Sequence, residues 1–314
     1  MKTFISLSAL FLSLTLTAQS NTATWYLNDT SGGIQSSSNT ASGVYAIAMG
    51  YTTTASGQAS ATMGNNTTAS GINSIATGNN TSASGINSIA MGNNTIASGY
   101  GSTAMGYETT ASGTVSTAIG TYTIASGTDS TAMGYYTTAS GNSSTAMGYE
   151  TTASDYTSLV VGKHNLAGYT VTASATEYSL DNTAFVIGNG SSWDNRSDAL
   201  VVKFNGDATL AGNLNINSDA RLKANIVSLG STLSKLLQID GKSYTMKKDE
   251  NEKQKIGLLA QDIEKVFPEL VSESHGVKSV NYQGLVPVLI NALKEQQSEI
   301  DELKTMLKAI IEKT

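Results

Sequence analysis

Apolar and polar residues in the first half of the chain follow a clock of fourteen residues. Ala-Ser-Gly recurs with its glycine at Gly43, Gly57, Gly71, Gly85, Gly99, Gly113, Gly127 and Gly141, and the ninth copy ends in Asp155 instead. A second glycine keeps the same interval at Gly50, Gly64, Gly78, Gly92, Gly106, Gly120, Gly134, Gly148 and Gly162. Each copy holds an alternating run such as Ser102–Gly106 and a shorter one such as Thr109–Ser112. Alternation, threonine and a glycine behind each run predict two short strands joined by sharp turns. Repetition without a single insertion predicts a solenoid over 38–165, its coils brought close by small Ala and Ser side chains. A Ser/Thr/Gly/Asn-rich composition is also that of disordered low-complexity sequence. Constant spacing and an apolar residue at Met49, Met63, Met91, Met105, Ile119, Met133 and Met147 argue against disorder.

The clock then stops. Over 166–217, Ala184–Gly188 and Ala199–Phe204 read as strands, Asn205-Gly206 as the turn of a hairpin into Ala208–Leu210, and Ala211–Ile216 as one more strand. Residues 218–314 have α+β character and end in a long helical pattern. Val286, Leu289, Leu293, Gln296, Ile300, Leu303, Leu307 and Ile310 recur at spacings of three and four, which predicts a coiled coil over about 284–313 with one polar layer at Gln296. The other reading is an amphipathic helix packed on its own domain. Charged flanks at Glu295, Glu299, Asp301, Lys304 and Lys308 favour the coil.

Charge sharpens these boundaries. Residues 1–217 carry 4 Lys/Arg and 10 Asp/Glu, whereas 218–314 carry 14 of each, so the net charge of −6 belongs to the first segment. That balance argues against nucleic acid as its partner. Lys2 and the apolar stretch Phe4 to Leu16 predict a signal peptide over 1–18, cut after Ala18 and too short to span a bilayer, with a lead-in over 19–37. The expected location is the surface or exterior of a bacterium, with no membrane-spanning segment in the mature chain. The sequence has no cysteine, so stacking and oligomerisation must replace disulfides. Residues 19–217 contain no catalytic or metal-ligand grouping, and no cofactor is expected. Tyr51, Tyr107, Tyr135, Tyr136 and Tyr149 follow the repeat glycine. Packing among turns is the favoured reading, since stacking puts one position on one face whatever its role; a stripe binding a surface protein or glycan is the other. His164 has no visible partner, and His275 reads as a loop residue.

Asn73-Ser74-Ile75-Ala76 and Asn87-Ser88-Ile89-Ala90-Met91-Gly92 are the units closest to N-S-x-A-I-G-x-x-S-x-A-S-G. They resemble the head repeats of YadA-like trimeric autotransporter adhesins over about 130 residues. The resemblance implies a mainly β protein with a left-handed parallel β-roll solenoid, three chains side by side as a homotrimer, and a head that binds surfaces. No segment resembles that family's C-terminal membrane barrel, so its transport route is not expected here.

Ser218 and Lys223 stand five residues apart at the start of the charged segment. A serine becomes a nucleophile when a neighbouring base takes its proton, and a lysine serves as that base only when neutral. Arg221 is a candidate for keeping it so, and Asp219 for orienting the pair or capping a helix. Spacing alone favours the plainer reading, a capping Ser-Asp with surface basic residues. Ser218-Asp219-x-Arg221-Leu222-Lys223-x-Asn225-Ile226 nevertheless resembles the opening of the intramolecular chaperone, auto-processing domain of phage endosialidase tailspikes and tail fibres. Two later blocks agree in order, Ile256–Ile263 with Pro268–Val271 and Val280-Asn281-Tyr282 with Leu289–Glu295, although Asn281 replaces the commoner Asp. The resemblance implies Ser218 as nucleophile, Lys223 as base and Asn217–Ser218 as the cleaved bond, in a single-turnover autoprotease without external substrate. The neck-like 166–217 then joins head to chaperone. Two other readings are a phage-type tail fibre with a receptor-binding or glycan-processing head, and an enzyme hidden in that head. The missing catalytic groups count against the second.

Overall fold

The computed structural model describes residues 26–28, 33–35, 38–247 and 252–313; the predicted signal peptide lies outside them. Two units divide at Asn213 and Leu214. In the first, every coil supplies a five-residue strand, such as Thr103–Tyr107, and a two-residue strand, such as Thr110–Ala111. Long strands from Ile47–Tyr51 to Leu159–Lys163 pair in parallel, and short strands from Thr40–Ala41 to Thr152–Ala153 form a second sheet of nine. Each strand meets its own copy, Ala104 opposite Ala118 and Gly106 opposite Gly120, because the clock is unbroken. The result is a parallel β-solenoid of about nine turns.

Alternation decides what lies inside. In the coil around Gly106, Ser102, Ala104, Thr109, Ala111 and Gly113 are buried, while Thr103 and Met105 face outward. The core is thus a column of alanines running from Ala69 to Ala153, and the largest apolar side chains are outside it. Met63, Ile75, Met91, Met133 and Met147 stand exposed on the outer face of the long-strand sheet. Two sheets joined by such short turns leave room only for small side chains. The two glycine columns obey the same limit. A Cβ on Gly113 would lie 2.0 Å from the carbonyl oxygen of Gly127, and Gly106 adds φ of +130° to a contact of 1.9 Å with that of Gly120.

The last coil explains its broken motif. Asp155 occupies the glycine position, is fully buried, and accepts hydrogen bonds from Thr172 N at 2.6 Å, Thr183 N at 2.8 Å and Thr183 Oγ1 at 2.6 Å. No identical coil stacks above it, so a side chain fits, and its carboxylate fastens the incoming neck. Asp155→Ala is expected to leave those three donors without their acceptor and lower the stability of the first unit by about 3 kcal/mol. Equal denaturant midpoints for the two proteins would contradict this account.

The neck extends the long-strand sheet. Thr183–Asn189 pairs in parallel with Leu159–Lys163, then Asp198–Lys203 and Ala208–Leu210 add antiparallel strands around the Asn205-Gly206 turn, where Gly206 has φ of 87°. The strand expected at Ala211–Ile216 does not form, and Leu214 and Ile216 lie exposed. Alternation makes a strand only where a neighbour pairs with it, and none is present there among the described residues.

The second unit is small. Helix α1 (Leu233–Leu236), α2 (Ala260–Val266) and α3 (Leu285–Ile311) surround two hairpins, Lys242–Tyr244 with Lys255–Gly257 and Val271–Ser274 with Val277–Val280. Ile263, Phe267, Leu285 and Val288 form the core. Leu285, Val288 and Ala292 are the buried residues of α3, whereas Val286, Leu289, Leu293, Ile300, Leu303, Leu307 and Ile310 remain exposed. The packed reading of this helix holds on one face, where a stripe docks on the domain, and the heptad stripe expected for a coil lies exposed on another.

Glu295, read from sequence as a coil flank, is instead turned onto its own domain. Its carboxylate accepts from Ser231 Oγ at 2.6 Å, Thr232 N at 2.5 Å and Leu233 N at 3.2 Å, capping α1. These bonds, that of Ser231 foremost, hold its carboxyl below the ordinary 4.5. A depressed folded value means stabilisation that is complete above about 4.5 and is lost as pH falls through the folded value. Melting of the second unit should therefore soften in acid below that point, and Glu295→Gln should flatten the dependence. An unchanged acid slope in the variant would refute it.

Candidate functional site

Asp219 starts a 3-10 turn over Ala220–Leu222 by accepting from Arg221 N at 2.9 Å. The turn closes with Lys223 N donating to Ala220 O at 3.1 Å, which swings the Lys223 side chain back over Ser218. Lys223 Nζ donates to Ser218 Oγ at 2.8 Å. The fold thus supplies the bend that spacing alone left open. Both side chains are exposed, as are their neighbours from 211 to 231.

The supporting pair behaves differently from the expectation for Arg221. Its guanidinium reaches Asp219 through Nε at 3.1 Å and a terminal nitrogen at 2.6 Å. That contact pushes the Asp219 carboxyl below its usual range and the Arg221 guanidinium above its own. Arg221 is therefore engaged with Asp219, and the two side chains hold each other across the turn.

The later blocks brace the domain rather than the dyad. Tyr282 Oη accepts from Leu258 N at 2.9 Å, tying the first hairpin to the start of α3. Asn281 Oδ1 accepts from Gly284 N at 3.1 Å and caps the Tyr282–Gly284 turn, which an Asp would also do. Pro268 opens the short turn after α2. His275 sits at the tip of the second hairpin, as expected, with φ of 50°. Among the described residues no group of three or more His, Cys, Asp or Glu side chains is placed to hold a metal.

On the first unit, the tyrosines pack on one another from coil to coil. Tyr122, not singled out from sequence, stacks on Tyr136 at 4.3 Å, and Tyr135 stacks on Tyr149 at 4.9 Å. His164 is buried, and its Nδ1 lies 3.1 Å from Glu150 Oε2 without a hydrogen bond between them. Tyr122 and Glu150 were findable, because both occupy the position after the strand-end residue in the fourteen-residue register. Asp155 was signalled only as a break in the motif.

Comparison with known proteins agrees with this architecture. Residues 41–163 match the YadA head domain repeat in eight overlapping stretches, the first 41–67 and the last 139–163, and residues 218–272 match the chaperone of endosialidase. YadA head repeats and a chaperone-of-endosialidase domain are thus found in one chain. The long tail fiber protein Gp37 of Salmonella phage S16 is 32% identical over 124 residues, covering 36% of this chain and 17% of its own length. Proteins of the same description from Enterobacteria phages M1 and Ox2 are 35% and 34% identical, over 29% and 41% of this chain. The chain spans less than half the length of these curated relatives, 40% and 47% of the latter two. No helix among the described residues is long and apolar enough to cross a membrane.

Proposed function

We propose that this chain is a homotrimeric surface fibre whose C-terminal domain guides assembly and then severs itself at Asn217–Ser218. The observation that carries the reading is the 2.8 Å contact between Lys223 Nζ and Ser218 Oγ, placed where the β-rich unit gives way to the chaperone-type domain. With Lys223 neutral, Ser218 Oγ gives it a proton and attacks the Asn217 carbonyl carbon. The C–N bond breaks, the proton passes to the Ser218 nitrogen, and an ester joins Asn217 to Ser218. Water then hydrolyses that ester, leaving a carboxylate on Asn217 and a free amine on Ser218.

Trimerisation fits two exposed apolar rows. The outward Met and Ile residues of the long-strand sheet and the heptad stripe of α3 are too continuous to face water at rest. The coil holds three chains at high local concentration, so long solenoids align in register rather than one repeat out. It also accounts for timing. Lysine acts as a base from a dry site, and in one chain Lys223 faces solvent. Assembly is the event that covers it. Removal of the guide leaves the aligned head kinetically trapped. Relatives described as long tail fibers support a fibre in general and keep the phage-type alternative open, whereas the predicted signal peptide favours export.

Intact-mass and native-mass measurements on the purified full chain test the proposal together. The expected result is a C-terminal fragment beginning at Ser218 and a head of three chains. A single uncut chain or a monomer overturns it.

A further inference from the structure

The corner after each long strand offers a comparison within one molecule. Its second residue is left-handed in every coil, with φ of 52° at Asn66 and Asn80 and 54° at Asn94. Asparagine tolerates this conformation, and these three form an amide ladder with contacts of 2.8 and 2.5 Å. The next four coils place Glu108, Tyr122, Tyr136 and Glu150 there, at φ between 51° and 56°. A bulky ring is strained in that region. The fold does not demand it, since asparagine fills the same site in the preceding coils.

Together with Tyr107, Tyr135 and Tyr149 from the neighbouring position, the rings make a continuous cluster. Tyr107 meets Tyr122 edge-on at 5.5 Å, Tyr135 meets Tyr136 at 4.7 Å, and the two stacked pairs run along the solenoid. Each stacked pair covers one face of each of its rings, and the remaining contacts are edge-on. The carboxylates of Glu108 and Glu150 stand at the two ends of the cluster, both residues half-buried and Glu150 set beside His164. Partial desolvation and then the Glu108 charge raise the Tyr122 phenol above its ordinary value, and Glu150 acts likewise on Tyr149. The chain already rests one cation on the cluster, with Lys163 Nζ 5.5 Å from the Tyr149 ring centre.

We propose that the corner from Glu108 to Glu150 docks a lysine- or arginine-rich segment of a partner protein. The inference rests on the surface-fibre reading and names the chemistry of its contact. Phenol and carboxylate oxygens accept from ammonium or guanidinium groups, and rigid tyrosines supply contact area at low entropic cost.

A labelled oligolysine peptide, titrated into the purified full chain and followed by anisotropy, tests it. The double variant Tyr122→Asn/Tyr136→Asn installs the residue that three other coils use, so it should keep or raise the melting temperature while weakening binding about tenfold or more. Glu108→Asn should weaken it similarly, whereas the exposed Asp129→Asn, with the same charge change elsewhere, should have little effect. Equal binding by all four proteins overturns the site. So does a lower melting temperature in the double variant, which would make the rings a structural zipper. Displacement of the peptide by neutral dextran at least as readily as by free arginine overturns it in favour of a glycan surface. Wild-type protein that is trimeric and cut yet fails to bind refutes this site alone; a monomer would refute the fibre reading.

Discussion

Chains carrying Ser218→Ala or Lys223→Arg are expected to stay whole while the wild-type chain is cut. Ser218→Ala removes the attacking oxygen, and the two partners act as a unit, so cleavage should fall by about a thousandfold or more. Lys223→Arg is the more searching test. Arginine keeps the charge and the donors that reach Ser218 Oγ, but it cannot be deprotonated in a protein. A structural role for the 2.8 Å contact would survive that change, whereas a base role would not. Both variants should still assemble, since the heptad stripe of α3 lies far along the chain from the dyad. Denaturing gels against native mass separate the outcomes. Processing of Lys223→Arg at the wild-type rate would remove Lys223 from the chemistry.

The second large effect belongs to the glycine columns. Gly106→Ala should break the head between two coils, because its Cβ would sit 1.9 Å from the Gly120 oxygen at a φ closed to L residues. Gly113→Ala isolates the spatial part of that penalty, with 2.0 Å to the Gly127 oxygen and no unusual φ. Neither overlap involves a movable side chain, so relief means parting the coils and losing ladder hydrogen bonds on both sheets. Each change should cost more than about 4 kcal/mol, the range reserved for severe lesions. Contacts run only between neighbouring coils, so the damage should appear as new protease sensitivity between residues 106 and 127 with the ends intact. Gly212→Ala is the control, having open space around it, and should be neutral or slightly stabilising. Matching proteolysis patterns for Gly106→Ala and Gly212→Ala would defeat the packing argument.

Much of this was legible because the repeat contains its own register. A residue fourteen positions on is the next coil's copy, so the period alone implied in-register parallel pairing such as Ala104 with Ala118. Alternation within Thr103–Tyr107 implied two faces, yet not which one faced inward. The small separation of two sheets joined by tight turns gave the interior to Ala, Ser and Thr and left Met outside. The heptad of α3 was likewise readable, whereas the second stripe at Leu285, Val288 and Ala292 depended on where the Ile263 and Phe267 core lay.

The candidate site divides in the same way. Ser218 and Lys223 were recognisable through a nine-residue motif, but their contact rests on a turn that Asp219 caps, and Arg221 is spent on Asp219 rather than on Lys223. By itself the sequence determined the solenoid, its length, the change to a charged C-terminal domain and the heptad stripe of the final helix. All of these are periodic or local patterns, carried by residues near one another in the chain. Only the tertiary structure decided the outward apolar row, the Asp155 clasp, the Glu295 cap and the stacked tyrosines. Those depend on distances between segments that sequence separation does not encode, from the 17 and 28 residues spanned by Asp155 to the 63 between Thr232 and Glu295.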